Sequence, residues 1–262
     1  MLGKTASSLF WMARYLERAE NQSRLIEAGF RMALTRWNTA AAEWRSILVT
    51  AGADQGFAAT HNKHETSNVV DYLLRDPSNH GSILCMVKLA RDNARTARTA
   101  LTREVWEAVN SFWMTITQLL KKRVPDEDLP DVLKVIRQCN AQVRGAINGT
   151  MLRDDGFHYA MAGGFLERAD NTARILDVKY YLLLPSVAHI GGSMDMVQWD
   201  MILRSVSAHS SFRWTYGSDV SALLVADFLI LNEKMPRSLA YCHQIVRQSL
   251  VEVERGYDRD VE

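Results

Sequence analysis

Apolar residues recur along this chain at helical spacing. Met12, Tyr15, Ala19 and Ile26 fall on one stripe, which predicts a long helix from about Ser7 to about Trp37. Asp54-Gln55-Gly56 reads as a loop and Arg75-Asp76-Pro77-Ser78-Asn79 as a turn, with a short helix between them. Helical patterning resumes over Gly81 to Leu101, Arg103 to Arg123 and Asp131 to Asn148. After Asp154-Asp155-Gly156 it leads into a second long helix that ends before Pro185. His189-Ile190-Gly191-Gly192-Ser193 reads as a loop, with Ser193 as a helix cap and Asp195 in the first turn. Two further helices follow, over Asp219 to Asn232 and Pro236 to Arg255, with Pro236 suited to a first turn. No hairpin signal interrupts them, so the pattern predicts an all-α fold.

One helical phrase occurs twice. Leu16-Glu17-Arg18-Ala19-Glu20-Asn21-Gln22-Ser23-Arg24 returns 150 residues later as Leu166-Glu167-Arg168-Ala169-Asp170-Asn171-Thr172-Ala173-Arg174. Packing alone would keep the apolar positions and let the charges drift, yet here the charges and the asparagine recur. At about 100° per residue, Glu17, Asn21 and Arg24 share a narrow arc beside Glu20, and Glu167, Asn171, Arg174 and Asp170 repeat it. Three readings stand open. A solvated face would make each i,i+4 pair worth only about 0.3–0.5 kcal/mol. A buried network would fix helix register, at a desolvation cost that demands complete pairing. A shared polar cavity would use the arginines for carboxylate or phosphate and the acids for ammonium or a metal. In that last reading Glu17 and Glu167 are candidate general acid/base groups, raised in pKa by burial. The copies differ at Arg14, whose counterpart is Gly164. The Pro-rich break at 125–130 separates repeats of about 1–124 and 131–262, neither self-sufficient. A single pseudo-symmetric bundle with the two long helices facing each other is the expected architecture.

Composition narrows the function classes. The 262 residues are 47% hydrophobic with 5 Pro and 14 Gly, a globular balance. A net charge of +1 offers no global field for nucleic acid or anionic membrane, so anion recognition has to be local. Cys85, Cys139 and Cys242 fit reduced thiols. The start of the chain has no signal-like apolar stretch before Arg14, and the apolar run Val220 to Leu231 is broken by Asp227, so a soluble cytoplasmic protein is expected. A looser polar cluster holds Arg91, Asn93, Arg95 and Arg98, followed by Glu104, Trp106 and Asn110. Arg237, placed in the first turn of a helix, opposes the dipole and calls for an anionic partner. Neither a phosphate-binding P-loop nor a Gly-x-Ser-x-Gly elbow occurs. His61-x-x-His64-Glu65 lacks the order of zinc proteases and reads as a solvated pair, so neither metal nor cofactor is expected.

These segments resemble the alpha-E family, a bacterial group of all-helical proteins. The resemblance runs through Leu9-Phe10-Trp11-Met12-Ala13-Arg14-Tyr15-Leu16-Glu17-Arg18-Ala19-Glu20-Asn21, then Ala90-Arg91-Asp92-Asn93-Ala94-Arg95 with Glu104, Trp106 and Asn110. It continues through Leu166 to Asn171 and Phe228-Leu229 to Pro236-Arg237-Ser238. The chain departs from the family at Gly164, where an arginine is usual. The resemblance implies association with ATP-grasp-type ligases and transglutaminase-like proteins, and a part in making or modifying a peptide or amide-linked small molecule. With it, Arg14, Arg18, Glu20, Asn21, Arg24, Arg91, Asn93, Glu104, Asn110, Arg168, Asp170, Asn171, Arg174 and Arg237 become the expected substrate-binding set, with Glu17 and Glu167 catalytic. A stand-alone amide hydrolase or transferase and a structural scaffold remain the alternatives, and oligomeric state stays open.

Overall fold

The structure is a computed structural model and describes residues 1–35, 40–182 and 193–258. Among these, twelve α-helices and no strands occur. The first five are α1 (Gly3–Thr35), α2 (Ala40–Thr50), α3 (Asp54–Thr60), α4 (Thr66–Leu74) and α5 (Ile83–Thr96). Then come α6 (Arg103–Leu119) and α7 (Leu129–Thr150). The last five are α8 (Asp155–Leu182), α9 (Ser193–Ser205), α10 (His209–Tyr216), α11 (Ala222–Ile230) and α12 (Leu239–Asp258). The fold is all-α.

Several boundaries differ from the pattern-based expectation for local reasons. Asp54 to Thr60 is helical despite Gly56, where a Cβ would meet the Tyr72 hydroxyl at 2.5 Å, so close packing rather than a turn accounts for the glycine. Asp76 accepts from the Ser78 amide and hydroxyl, which makes the expected turn after α4. Ser82 caps α5 by accepting the Cys85 amide at 3.4 Å, so that helix starts after Gly81. In the same way Ser238 accepts the Tyr241 amide at 3.0 Å and opens α12 at Leu239, leaving Pro236 and Arg237 outside the helix. The expected end near Trp37 and the loop His189 to Gly192 lie outside the described residues.

Helix order and length recur along the chain. Helices α1 to α5 have 33, 11, 7, 9 and 14 residues, and α8 to α12 have 28, 13, 8, 9 and 20. Between these runs stand α6 and α7, and the Pro-rich break at 125–130 falls between that pair rather than at the edge of either run.

The two long helices make the centre. α1 packs on α8, α5, α7 and α2, while α8 also packs on α12. Phe10 meets Gly163 and Glu17 meets Arg168, so both contacts advance in the same direction and the pair is parallel. One apolar core joins Leu9, Met12, Ile26, Trp44, Phe57 and Phe112 among α1 to α7. A smaller one gathers Trp199, Leu203, Phe212, Val225 and Phe228 around α9 to α11, meeting the first near Leu25. No helix among the described residues is long and apolar enough to cross a membrane.

Candidate functional site

Helix α1 buries most of the repeated phrase. Ala19, Glu20, Asn21, Gln22 and Ser23 are buried in succession, and Glu17 and Glu167 are also buried. A carboxylate so placed has to find cationic partners, because its desolvation costs several kcal/mol (roughly, for an ion carried into a protein interior). The solvated reading therefore fails for Glu17, Glu20 and Glu167.

Their partners come from opposite copies of the phrase. Arg168 donates Nε to Glu17 Oε1 at 3.0 Å and Nη2 to Oε2 at 2.8 Å. Reciprocally, Arg18 donates Nε to Glu167 Oε1 at 2.6 Å and Nη2 to Oε2 at 2.8 Å. Each Glu-Arg dipeptide thus grips the other across the α1–α8 seam in planar, two-point pairs. Arg14, lying over Trp11 at 5.1 Å, adds a second guanidinium to Glu167 at 2.7 Å. On the other side Arg237 takes Glu17 Oε1 at 2.9 Å, Glu20 Oε1 at 3.0 Å and Asn21 Oδ1 at 2.7 Å. The anionic partner expected for Arg237 is therefore internal. Arg24 and Arg144 complete the set on Glu20.

Helix α7 is the contribution that sequence reasoning missed. Arg137, Asn140 and Arg144 form one polar line at i, i+3 and i+7. Arg137 pairs with Glu27 at 3.2 Å, the Asn140 amide donates to the Leu16 carbonyl at 2.7 Å, and Arg144 reaches Glu20. The spacing was visible, but nothing in it named a carboxylate 124 residues away.

Electrostatics overturn the expected acid/base role of Glu17. Burial does favour its neutral form, but Arg237, Arg168 and Arg144 outweigh it and hold the carboxyl at about 2 instead of its ordinary 4.5. Glu20 is likewise lowered, with burial and the Glu17 charge opposing and Arg144 and Arg237 winning. A carboxylate held that low carries no proton near neutral pH and is a weak base. Because the folded value lies below the unfolded one, Glu17 contributes stability that is complete above about pH 4.5 and lost as pH falls through about 2. The shift corresponds to about 3 kcal/mol. Urea unfolding between pH 5 and pH 2 should show this loss, and Glu17→Gln should flatten it; an unchanged slope would contradict the assignment.

The two phrases do not face each other across one enclosed cavity. They interlock directly, and each reciprocal pair borders a different pocket. Glu17 and Arg168 border a pocket of about 300 Å³ that also touches Arg144, Gly164 and Tyr241. Glu167 and Arg18 border one of about 340 Å³ with Asp170, Asn171 and Arg174, roofed by Thr50 to Ala53 and the Asn79 to Gly81 turn. Asp170 and Arg174 pair at 2.9 Å and are both half-exposed, unlike their buried counterpart Glu20 with Arg24. Asn171 is 8% exposed, and its side-chain amide has no hydrogen-bond partner among the described residues.

The looser cluster does not join this site. Arg91 donates to Asn110 at 2.8 Å, Arg91 and Arg98 flank Trp106, and Asn93 donates to the Leu89 carbonyl. Glu104 is exposed in the first turn of α6. Among the described residues no hydrogen bond or ion pair links this set to the clasp, because it lies between α5 and α6 rather than on the α1–α8 seam. His61 stacks on Phe57 at 4.5 Å and His64 lies tilted beside it at 5.3 Å, so they are part of an aromatic cluster rather than a solvated pair. Among the described residues no three His, Cys, Asp or Glu side chains gather where they could hold a metal ion. Burial pushes the Cys242 thiol up to about 11, which suits a core residue and not a nucleophile.

An all-helical protein closed by reciprocal Glu-Arg pairs is the class that fold and site define. Residues 1–262 match the alpha-E family, described as a predicted alpha-helical domain with a conserved ER motif, and the chain belongs to that family. Glu17-Arg18 and Glu167-Arg168 are such dipeptides, and the structure pairs them with each other. Among curated proteins the chain is 22% identical over 268 residues to an uncharacterized protein of Mycobacterium bovis and to one of Mycobacterium tuberculosis. Those alignments cover 94% of this chain and 29% of each relative, so the chain spans under a third of the length of the curated relatives it matches. No solved structure matches it.

Proposed function

We propose that this chain is a cytoplasmic accessory, substrate-binding subunit of an ATP-grasp-dependent system that makes or modifies a peptide or amide. The Glu-Arg clasp sets the register of the long helices, and the pocket beside Glu167 and Arg18 does the binding. The observation that carries this reading is Asn171, a mostly buried residue whose amide borders a pocket of about 340 Å³ and has no hydrogen-bond partner among the described residues. A ligand that pairs with this amide would add a hydrogen bond worth about 0.5–1.5 kcal/mol. The volume is at the small-molecule end of binding cavities. Arg18 and Arg174 present guanidinium groups and Glu167 and Asp170 carboxylates, a pairing suited to an amino-acid-like molecule. The family resemblance is what suggests an accessory role, and in the longer relatives the matched segment is accompanied by further chain.

The test is reconstitution with the ATP-grasp ligase and the transglutaminase-like partner. The chain should co-purify with the ligase, and Asn171→Ala should lower product formation about tenfold while leaving the melting temperature within a few degrees. The reciprocal pairing of the clasp also favours a purely structural scaffold. In that case Asn171→Ala would leave product formation untouched, and only variants that unfold the chain would lower it.

A further inference from the structure

We infer that the pocket beside Glu167 is a guanidinium site, taking arginine or a molecule that ends in an arginine-like group. This deepens the binding role proposed above by naming the chemistry of the ligand. The template lies within the chain itself. Arg237 is seated by three groups of the first phrase: it donates to Glu20 Oε1 at 3.0 Å and Asn21 Oδ1 at 2.7 Å and forms an ion pair with Glu17 Oε1 at 2.9 Å. The corresponding acceptors of the second phrase are Glu167, Asp170 and Asn171, and all three border the pocket.

What differs is the residue opposite them. Gln22 donates to the Gly81 carbonyl at 3.0 Å, and Thr172, its counterpart 150 residues on, donates to the Arg237 carbonyl at 2.8 Å. Ser82 follows Gly81 and caps α5, just as Ser238 follows Arg237 and caps α12. Gly81 therefore occupies the place of Arg237 and brings no side chain. The arginine that fills one seat is missing from the other.

The acceptors show the same difference. Glu17 Oε1 accepts from Arg168 Nε and also lies in an ion pair with Arg237 Nη1 at 2.9 Å. Glu167 Oε1 accepts from Arg18 Nε, while Arg14 is on Oε2. Asn21 Oδ1 is taken by Arg237, whereas the Asn171 amide has no hydrogen-bond partner among the described residues. A guanidinium entering from outside would meet the acceptor set that holds Arg237. Arg18 and Arg174, on the same wall, can receive the carboxylate of a free amino acid.

Isothermal titration calorimetry with L-arginine tests this, with L-citrulline as the control that replaces guanidinium by a neutral ureido group. L-arginine should bind at least about tenfold more tightly than L-citrulline, since two or more charge-assisted hydrogen bonds are lost. Asn171→Ala and Asp170→Asn should each weaken L-arginine by about three- to tenfold. Gly81→Arg should abolish binding, because the new side chain occupies the seat. Its backbone is not left-handed, and an added Cβ meets only Asn79 Oδ1 at 3.2 Å. Should that variant fail to fold, Asn171→Leu gives the same readout by removing the amide at similar volume.

Equal binding of L-citrulline, no binding of L-arginine at millimolar concentration, or binding unaffected by Asn171→Ala would overturn the inference. Failure here is separable from failure of the ligase role. Product formation that needs Asn171 without any arginine binding removes the guanidinium assignment alone. Arginine binding lost in Gly81→Arg with product unchanged supports the assignment and removes the ligase role.

Discussion

Replacing Glu17 by glutamine is expected to destabilise the protein by about 3–5 kcal/mol and to lower its melting temperature by roughly 10 °C. Glutamine keeps the volume, so no cavity contributes. The cost comes from what is left behind: Arg168 and Arg237, whose side chains are 11% and 7% exposed, would face a neutral amide. Burial already lowers the Arg237 pKa against the pull of Glu17 and Glu20, so losing one of those acids tips a balance that is already costly. The comparison variant is Asp170→Asn, which breaks the i,i+4 pair with Arg174 in a half-exposed setting. That pair is worth about 0.3–0.5 kcal/mol. Urea unfolding of the two variants side by side checks the argument, and equal losses would refute it.

The same contrast shows what could be read from the sequence. Glu20-Arg24 and Asp170-Arg174 share spacing, chemistry and helix direction, yet one is sealed and the other faces solvent. Helical geometry places residues on a face of their own helix and says nothing of what covers that face. Here α7 and the Arg237 turn cover the first phrase, while Gly81 leaves the second open. The long helices and the repeated polar phrase were legible because periodicity and repetition are local in sequence. Arg144, Asn140 and Gln22 were not, because each gains its role from a partner 51 to 124 residues away. The expectation of a raised Glu17 pKa failed for a related reason. Burial was foreseen, but the arginines that outweigh it arrive from α7, α8 and the turn before α12.

Two adjacent glycines give the second large effect, with opposite signs. Gly163→Ala should cost about 3 kcal/mol or more, because its Cβ would stand 2.2 Å from the Phe10 carbonyl oxygen and 2.9 Å from its carbon. Those are backbone atoms of a helix, so no rotamer change relieves the contact; α1 and α8 have to separate. Separation is what the clasp cannot absorb, since Arg18 and Arg168 reach their carboxylates at 2.6 to 3.0 Å across that seam. Gly164→Ala, one position on, has nothing nearer than the Ala13 Cβ at 3.9 Å. There the helix propensity of alanine should add about 0.5–1 kcal/mol. Thermal unfolding of the two single variants decides the matter: Gly163→Ala melting as high as Gly164→Ala would mean that close backbone approach does not set the distance across which the two Glu-Arg pairs meet.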